Sequence, residues 1–536
     1  MADSFWSAAA PAAVAGAGLS LLVERLLQPP TRPLWRRPVA ALAIHLGLWL
    51  LLFSCLLLVL QRPFFAAAAL LAGMLFLVLV SNAKFHALRE PFVFQDFEYF
   101  SDALRHPRLY LPFLGAGRAL LALLAFAAAV TGGLAIERSL LSRLPVIDFL
   151  AGAGGLALAG LLLLWLGLAK KLSVSFDAAA DLRRLGLLAA LWRYGEEELL
   201  PFKVSFPYEH FGAGPPVRAH PAHLVVVQSE SFFDVRRLFS GIRTDVLREF
   251  DALQASALWQ GRLQVSAWGA NTVRTEFAFL SGLAIDALAV HRFNPYRRLA
   301  RQDLATLASY LRRCGYRTVC VHPYAASFYA RDKVYPRLGF DEFIDIRSFS
   351  GATKSGPYVS DLTVAEKVCS LLASSSEQPL FVFVITMENH GPLHLEDPLP
   401  GDSERCYTVA PAAGGDDLTI YLRHLRNADS MAGRLRQQLA ALPGNGCLCW
   451  FGDHVPILPE VYRAIGTPDG QTDYFIWRKD GQLPVGTRRD LKVEQLGGFV
   501  LQAVGVLSAS ATEVSDQAPG LFQVTATKVE VPSAYS

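Results

Sequence analysis

The 536-residue sequence predicts a polytopic α-helical membrane domain of about five spans, followed by an α/β domain with a largely parallel sheet. Three observations predict this class. Hydrophobic residues make up 52% of the chain against 18% charged, and the excess sits almost entirely in the first third. Four stretches there, Val39–Leu60, Phe64–Val80, Ala119–Ile136 and Phe149–Leu168, hold no Asp, Glu, Lys or Arg; about 20 such residues cover the hydrocarbon core of a bilayer. From His223 onward, short β-branched runs alternate with helix-like stretches, the pattern of a parallel sheet flanked by helices.

The elements follow in order. Ala8–Leu27 is a fifth span, with Pro11 near its start and the Glu24-Arg25 pair near its end. Four further apolar runs are too many for the buried helices of one small soluble core. The N-terminus has no basic region and the apolar runs continue, which argues against a cleaved signal peptide. Gln28–Pro38 is a loop, and Gln61-Arg62-Pro63 is a tight hairpin between spans. Ser81–Gly117 mixes aromatic and charged residues as an amphipathic interfacial element does. The chain turns polar after Lys170-Lys171. The expected organisation is a transmembrane domain over 1–172, a connector over 173–221, a catalytic domain over 222–508 and a peripheral segment over 509–536. A net charge of +3 without a basic block excludes a nucleic-acid-binding class. Seven scattered cysteines form no metal pattern. Cys314/Cys320 and Cys447/Cys449 read as disulfides or as buried thiols on strands, and the strand setting favours thiols.

Strands are expected at His223–Gln228, Arg317–Val321, Leu380–Ile385 and Cys447–Phe451, with helices near Asp303–Cys314, Asp361–Ala373 and Leu418–Leu442. Active sites of such sheets gather past the carboxyl ends of strands. Three of these ends finish in Ser229-Glu230-Ser231, in Glu388-Asn389-His390 and in Asp453-His454. Each alone reads as a solvated loop end or a turn with a satisfied histidine. Their coincidence points to one divalent cation, since hard oxygens with an imidazole suit Mn²⁺, Mg²⁺ or Zn²⁺. A fourth piece, Trp268–Phe277, opens an apolar helix. It reads as a capping box with Thr272 or Asn271 as N-cap. The same geometry also places a Thr272 hydroxyl at a helix N-terminus able to hold phosphate, beside a metal that would make it a nucleophile.

Five motifs stand in order: Val225–Ser231, Asn271–Phe277, Phe328-Tyr329-Ala330-Arg331, Glu388-Asn389-His390 and Phe451–His454. Together with Asn82-x-Lys84 and Glu90-Pro91 after the third span, they resemble the lipoteichoic acid synthase-like and phosphoglycerol transferase I-like membrane enzymes of the alkaline phosphatase/sulfatase superfamily. The resemblance covers nearly the whole chain and implies an alkaline-phosphatase-like catalytic domain. It implies that Glu230, Thr272, Asp453 and His454 hold one divalent metal, commonly manganese. It implies Thr272 as covalent nucleophile and His390 as proton donor or acceptor. Arg331, Tyr329, His390 and Glu388 are implied to bind substrate, with Tyr329 where the family usually has Trp. The implied reaction moves phosphoglycerol from phosphatidylglycerol to a hydroxyl on a cell-envelope glycan or lipid-linked polymer. A phosphoethanolamine transferase and a phosphodiesterase of the same superfamily are the alternatives. Sulfate-ester hydrolysis is disfavoured, because Thr272-Val273-Arg274 is neither a formylglycine precursor nor the start of a Pro-x-Arg signature.

The resemblance also implies a bacterial cytoplasmic membrane, with the catalytic domain on the periplasmic or extracellular side. The charge pattern points the other way. The Ser81–Gly117 loop, two spans from the catalytic domain and so on its side, holds Lys84, Arg89, Arg105 and Arg108, whereas the opposite loop Glu137–Asp148 has only Arg138 and Arg143.

Overall fold

The structure is a computed structural model that describes residues 4–100, 124, 127–128, 130–209, 211, 222–375, 378–411, 415–480 and 486–507. It divides into two units, Met1–Leu200 and Pro201–Ser536.

Apolar length shapes the first unit. Among the described residues four helices are long and apolar enough to cross a membrane. They are built on α1 (Phe5–Val23), α2 (Val39–Leu60), α3 (Pro63–Leu88) and α4 (Val146–Ala169). The span expected at Ala119–Ile136 falls partly outside the described residues; its end, residues 130–136, is helical. The hairpin between α2 and α3 is made by local chemistry: Gln61 turns left-handed (φ 57°) to end α2, and Pro63 opens α3 where no N–H is needed. Helices α2 and α4 pack through small residues. A Cβ on Gly47 would lie 2.7 Å from the Leu164 backbone nitrogen, so the backbones approach as closely as glycine allows. The stretch read as a connector contributes α5 (Ala178–Leu185) and α6 (Leu187–Leu199) to this unit.

Glu24, the acid that interrupts the first apolar run, is fully buried and pairs with Arg37. His45 Nδ1 lies 3.2 Å from its carboxylate, and the Leu187 N–H at the start of α6 donates to it at 2.7 Å. Removing one member of a buried pair strands the other in low dielectric. Glu24→Ala is therefore expected to cost about 3 kcal/mol or more, measured as a lowered melting temperature in detergent. Replacing Glu24 and Arg37 together by Leu and Met is expected to recover most of that loss. The Lys84 and Glu90 motif residues are structural in the same sense: Lys84 Nζ binds Glu90 at 2.8 Å and Asp96 at 2.6 Å, closing the turn after α3.

The second unit is built on a nine-stranded mixed sheet in the order β10 (Thr487–Arg488), β2, β9, β8, β1, β7, β3 and β4 (Glu342–Ile344), with β11 (Leu491–Lys492) also paired to β2. Its centre is parallel: β8 (Gly446–Gly452), β1 (His223–Ser229), β7 (Leu380–Ile385) and β3 (Arg317–Val321). These are the four strands expected from sequence. Along β1, β7 and β8, alternate residues enter opposite cores: Val225, Val382 and Trp450 on one face, Leu224, Phe381 and Cys449 on the other. Burial on both faces is why they read as unbroken apolar runs. Among the helices are α7 (Arg248–Ser256), α8 (Thr272–Ser281), α9 (Leu307–Arg313), α10 (Arg331–Arg337), α11 (Asp361–Ser374), α12 (Gly415–Ala441) and α13 (Val493–Ala503). Helices α7, α11 and α12 cover the first face; α8, α9 and α13 cover the second. The antiparallel strand β9 (Thr472–Arg478) and its partner β2 (Trp259–Gln264) extend the sheet beyond the strands expected. All seven cysteines are free thiols; Cys320, Cys447 and Cys449 lie on strands, but Cys314 caps the end of α9. The peripheral segment 509–536 lies outside the described residues.

Candidate active site at the carboxyl ends of the parallel strands

The strand ends are bonded to one another before any side chain reaches out. The Glu230 N–H donates to Thr386 Oγ1 at 2.9 Å, linking the ends of β1 and β7. The Ser231 N–H donates to Asp453 Oδ1 at 2.8 Å, linking β1 to β8. Gly452 allows this closeness, because a Cβ there would sit 1.8 Å from the Phe232 carbonyl oxygen.

Glu230, Asp453 and His454 are buried, and one ligand atom from each lies within 4.8 Å of the others. His454 Nδ1 faces the Val455 carbonyl at 3.1 Å and donates to it, which leaves the Nε2 lone pair towards Asp453 Oδ2 at 3.3 Å and Glu230 Oε1 at 3.5 Å. Three electron-rich atoms thus converge, and Asp453 Oδ2 is buried with no hydrogen-bond donor among the described residues. Burial, and then the Asp453 charge, push the Glu230 carboxyl up to about 8. Such a set calls for a positive charge at its centre, and two carboxylates with an imidazole fit a divalent cation.

Thr272 is the first residue of α8 and is buried. The capping reading does not account for it: Asn271 is the N-cap, in left-handed conformation (φ 64°), and its side chain makes no capping bond. One turn on, the Thr275 hydroxyl donates to the Asp453 carbonyl at 2.8 Å. This bond pins the start of α8 to the carboxylate cluster.

Arg331 is 1% exposed and pairs with Glu276 at 2.8 Å. Its guanidinium lies over the Tyr329 ring, 5.2 Å from the centroid, a cation–π contact. Its charge acts on the cluster by lowering the Glu230 pKa, against burial. His390 Nδ1 lies 2.7 Å from its neighbour's Gly391 carbonyl and 3.3 Å from Tyr358 Oη. Donation to the carbonyl leaves Nε2 as the proton acceptor, and burial lowers this histidine's pKa. Glu388 turns the other way. Its carboxylate accepts from the Asp361 N–H at 2.6 Å and His424 Nδ1 at 2.9 Å, facing α12. Burial works against a charge on His424, but its bonds to Glu388 and Glu396 outweigh it and raise the pKa to about 9.

Two residues passed over in the sequence belong to this neighbourhood. His322 follows β3 as Glu230 follows β1, so the same strand-end rule could have found it. It is fully buried, with Nδ1 3.1 Å from the Ile385 carbonyl and Nε2 3.2 Å from Arg331 Nη1. Burial and the Arg331 charge hold it well below the ordinary histidine range. Glu276 was read only as part of a helix start. Non-glycine residues in left-handed backbone sit beside the functional candidates: Ser231 (φ 55°), Asn271 (φ 64°), Tyr329 (φ 55°) and Ala330 (φ 51°). Such conformations cost roughly 1 kcal/mol or more each and gather at functional sites.

A family model described as Sulfatase matches residues 222–517, more than half of the chain. The chain belongs to the sulfatase family. Its sulfatase domain carries the strand ends described above. The chain is 29% identical over 433 residues to the capsular polysaccharide biosynthesis protein RkpI of Rhizobium meliloti (strain 1021), covering 77% of each protein. It is 27% identical over 173 residues to lipoteichoic acid synthase 1 of Bacillus subtilis (strain 168), covering 30% of this chain and 25% of that one. In structure it is similar to the integral membrane protein lipooligosaccharide phosphoethanolamine transferase A of Neisseria meningitidis. That match has 13% identity and a TM-score of 0.55 over 92% of this chain and 95% of the other, so the two share a fold. The sulfatase fold joined to apolar helices is thus the architecture expected from sequence.

Proposed function

We propose that this protein transfers phosphoglycerol from phosphatidylglycerol to a hydroxyl on a cell-envelope glycan or lipid-linked polymer through a covalent Thr272 intermediate. The observation that carries the reading is the bond from Thr275 to the Asp453 carbonyl, which fixes the Thr272 end of α8 against the carboxylate–imidazole cluster. Similarity to a lipoteichoic acid synthase and to a capsular polysaccharide biosynthesis protein supports a polymer or glycan acceptor.

Glu230, Asp453, His454 and Thr272 would hold one divalent metal, Mn²⁺ by the family resemblance. When bound, it would lower the Thr272 hydroxyl pKa and offset charge on the phosphoryl oxygens. The chain's own groups do the rest. The positive end of the α8 dipole favours the donor phosphate. Thr272 Oγ forms a bond to phosphorus as the bond to the diacylglycerol oxygen breaks; the Thr272 proton passes to His390 Nε2 and from there to the leaving oxygen. An acceptor hydroxyl then attacks the phosphorus and gives its proton to His390 Nε2, which hands it to Thr272 Oγ as the Thr272–phosphorus bond breaks. Arg331 stabilises charge on the non-bridging oxygens in both steps. Tyr329 supports Arg331, and Glu388 holds the His390 loop from below. In this reading the apolar helices anchor the chain in a bacterial cytoplasmic membrane, which holds the donor lipid, and the catalytic domain works on its outer side.

The test is intact-mass analysis of the full-length protein in detergent after incubation with phosphatidylglycerol and Mn²⁺. A mass gain of one phosphoglycerol is expected, absent in Thr272→Ala. A gain matching phosphoethanolamine, with phosphatidylethanolamine as the donor, would replace the donor in this reading. Lipid hydrolysis without any adduct would make the protein a phosphodiesterase.

A further inference from the structure

We propose that Glu276 is a positioning residue that sets Arg331 for the donor phosphate; this rests on the phosphotransfer reading above. Helical residues three and four apart share a face, so Thr272, Thr275 and Glu276 stand on one side of α8. Thr275 ties that side to Asp453 and Glu276 ties it to Arg331. One helix therefore sets the nucleophile, the cation cluster and the phosphate-binding charge in a single register.

The grip on Glu276 is complete. Oε2 accepts from Arg331 Nη2 at 2.8 Å. Oε1 accepts from Tyr335 Oη at 2.5 Å, from Tyr296 Oη, and more distantly from Arg331 Nε at 3.4 Å. The carboxylate is wholly buried. With Nε and Nη2 directed at Glu276, Arg331 presents Nη1 to His322 Nε2. His322 accepts there because its Nδ1 is committed to the Ile385 carbonyl, so the imidazole is a neutral stop for the guanidinium.

A stabilising salt bridge is the plainer reading of this pair, and it explains less. Buried ion pairs add little net stability over apolar replacements. This one also follows two consecutive left-handed residues, Tyr329 and Ala330, which cost stability to hold. Both residues stand directly before Arg331 in the chain, and the Tyr329 ring lies against its guanidinium, so the strained turn directs Arg331.

The experiment compares full-length wild type, Glu276→Gln, Arg331→Met and the double variant in detergent with Mn²⁺. Two quantities are read: transfer from phosphatidylglycerol, and calorimetric binding of glycerol phosphate. Glu276→Gln is expected to lose about 100-fold in kcat, the scale of a small misplacement, with bound Mn²⁺ unchanged. The double variant is expected to be no worse than Arg331→Met in either readout, because Glu276 acts only through Arg331. Wild-type transfer by Glu276→Gln, or losses that multiply in the double variant, would overturn the proposal while leaving the phosphotransfer reading intact. A wild type without Thr272-dependent transfer would overturn both. Should Glu276→Gln not fold, Tyr335→Phe carries the test. It loosens one oxygen of Glu276 and is expected to slow transfer roughly tenfold; an unchanged rate would overturn the role.

Discussion

Thr272→Ala protein is expected to keep the metal through Glu230, Asp453 and His454, though more weakly, and to melt close to wild type, yet to lose transfer by about 10⁴-fold or more, the scale seen when a covalent nucleophile is removed. Stability is spared because Thr272 is the first residue of α8 rather than its cap, and because Thr275 makes the bond that docks the helix. Thr275→Val therefore serves as the contrasting variant. It keeps the proposed nucleophile but removes the tie to Asp453, and should lower both the melting temperature and the rate. Mass analysis separates the two cases: Thr272→Ala gives no adduct at any time, whereas Thr275→Val gives a slow one. Full transfer by Thr272→Ala would sink the covalent mechanism.

The fold was legible where burial leaves a trace along the chain. Strands β1, β3, β7 and β8 are covered on both faces, so each is a continuous apolar run bounded by polar residues. Strand β2 escaped because its residues alternate in burial at the side of the sheet, and β9 because it opens on Thr472-Asp473 within a Gly- and Asp-rich stretch. Glu230, Asp453 and His454 were legible for a related reason: a parallel sheet gathers the ends of its strands whatever the intervening chain does. Pairings set by helix packing left no such trace. Glu276 and Arg331 are 55 residues apart, and only the tertiary fold brings their side chains together. Glu388 shows the reverse: it lies in a strand-end motif, but its side chain is claimed by Asp361, His424 and Asn427. Sequence placed the residue without its direction.

Stripping the metal with a chelator is expected to leave a protein whose stability falls as pH rises, the opposite of ordinary carboxylate behaviour. In the metal-free fold Glu230 holds its proton up to about 8, whereas an unfolded glutamate releases it near 4.5. Between those values the folded state binds more protons, so unfolding becomes easier with each rise in pH. The contribution is fully present below about 4.5 and gone above about 8. A divalent cation at Glu230, Asp453 and His454 takes over the role of that proton, so added Mn²⁺ should release protons and stabilise more at higher pH. Melting curves of stripped and Mn²⁺-loaded protein, recorded across this range, should diverge steadily with pH. Other buried acids, Asp361 and Asp429, are also raised by burial and tilt both curves, so the gap between them is the quantity that reports on the cluster. Glu230→Gln sharpens the test. The amide cannot ionise, so the stripped variant should be more stable than stripped wild type near pH 8, yet gain little from Mn²⁺. A gap that stays constant with pH, or a variant that Mn²⁺ stabilises as much as wild type, would remove Glu230 from the metal site.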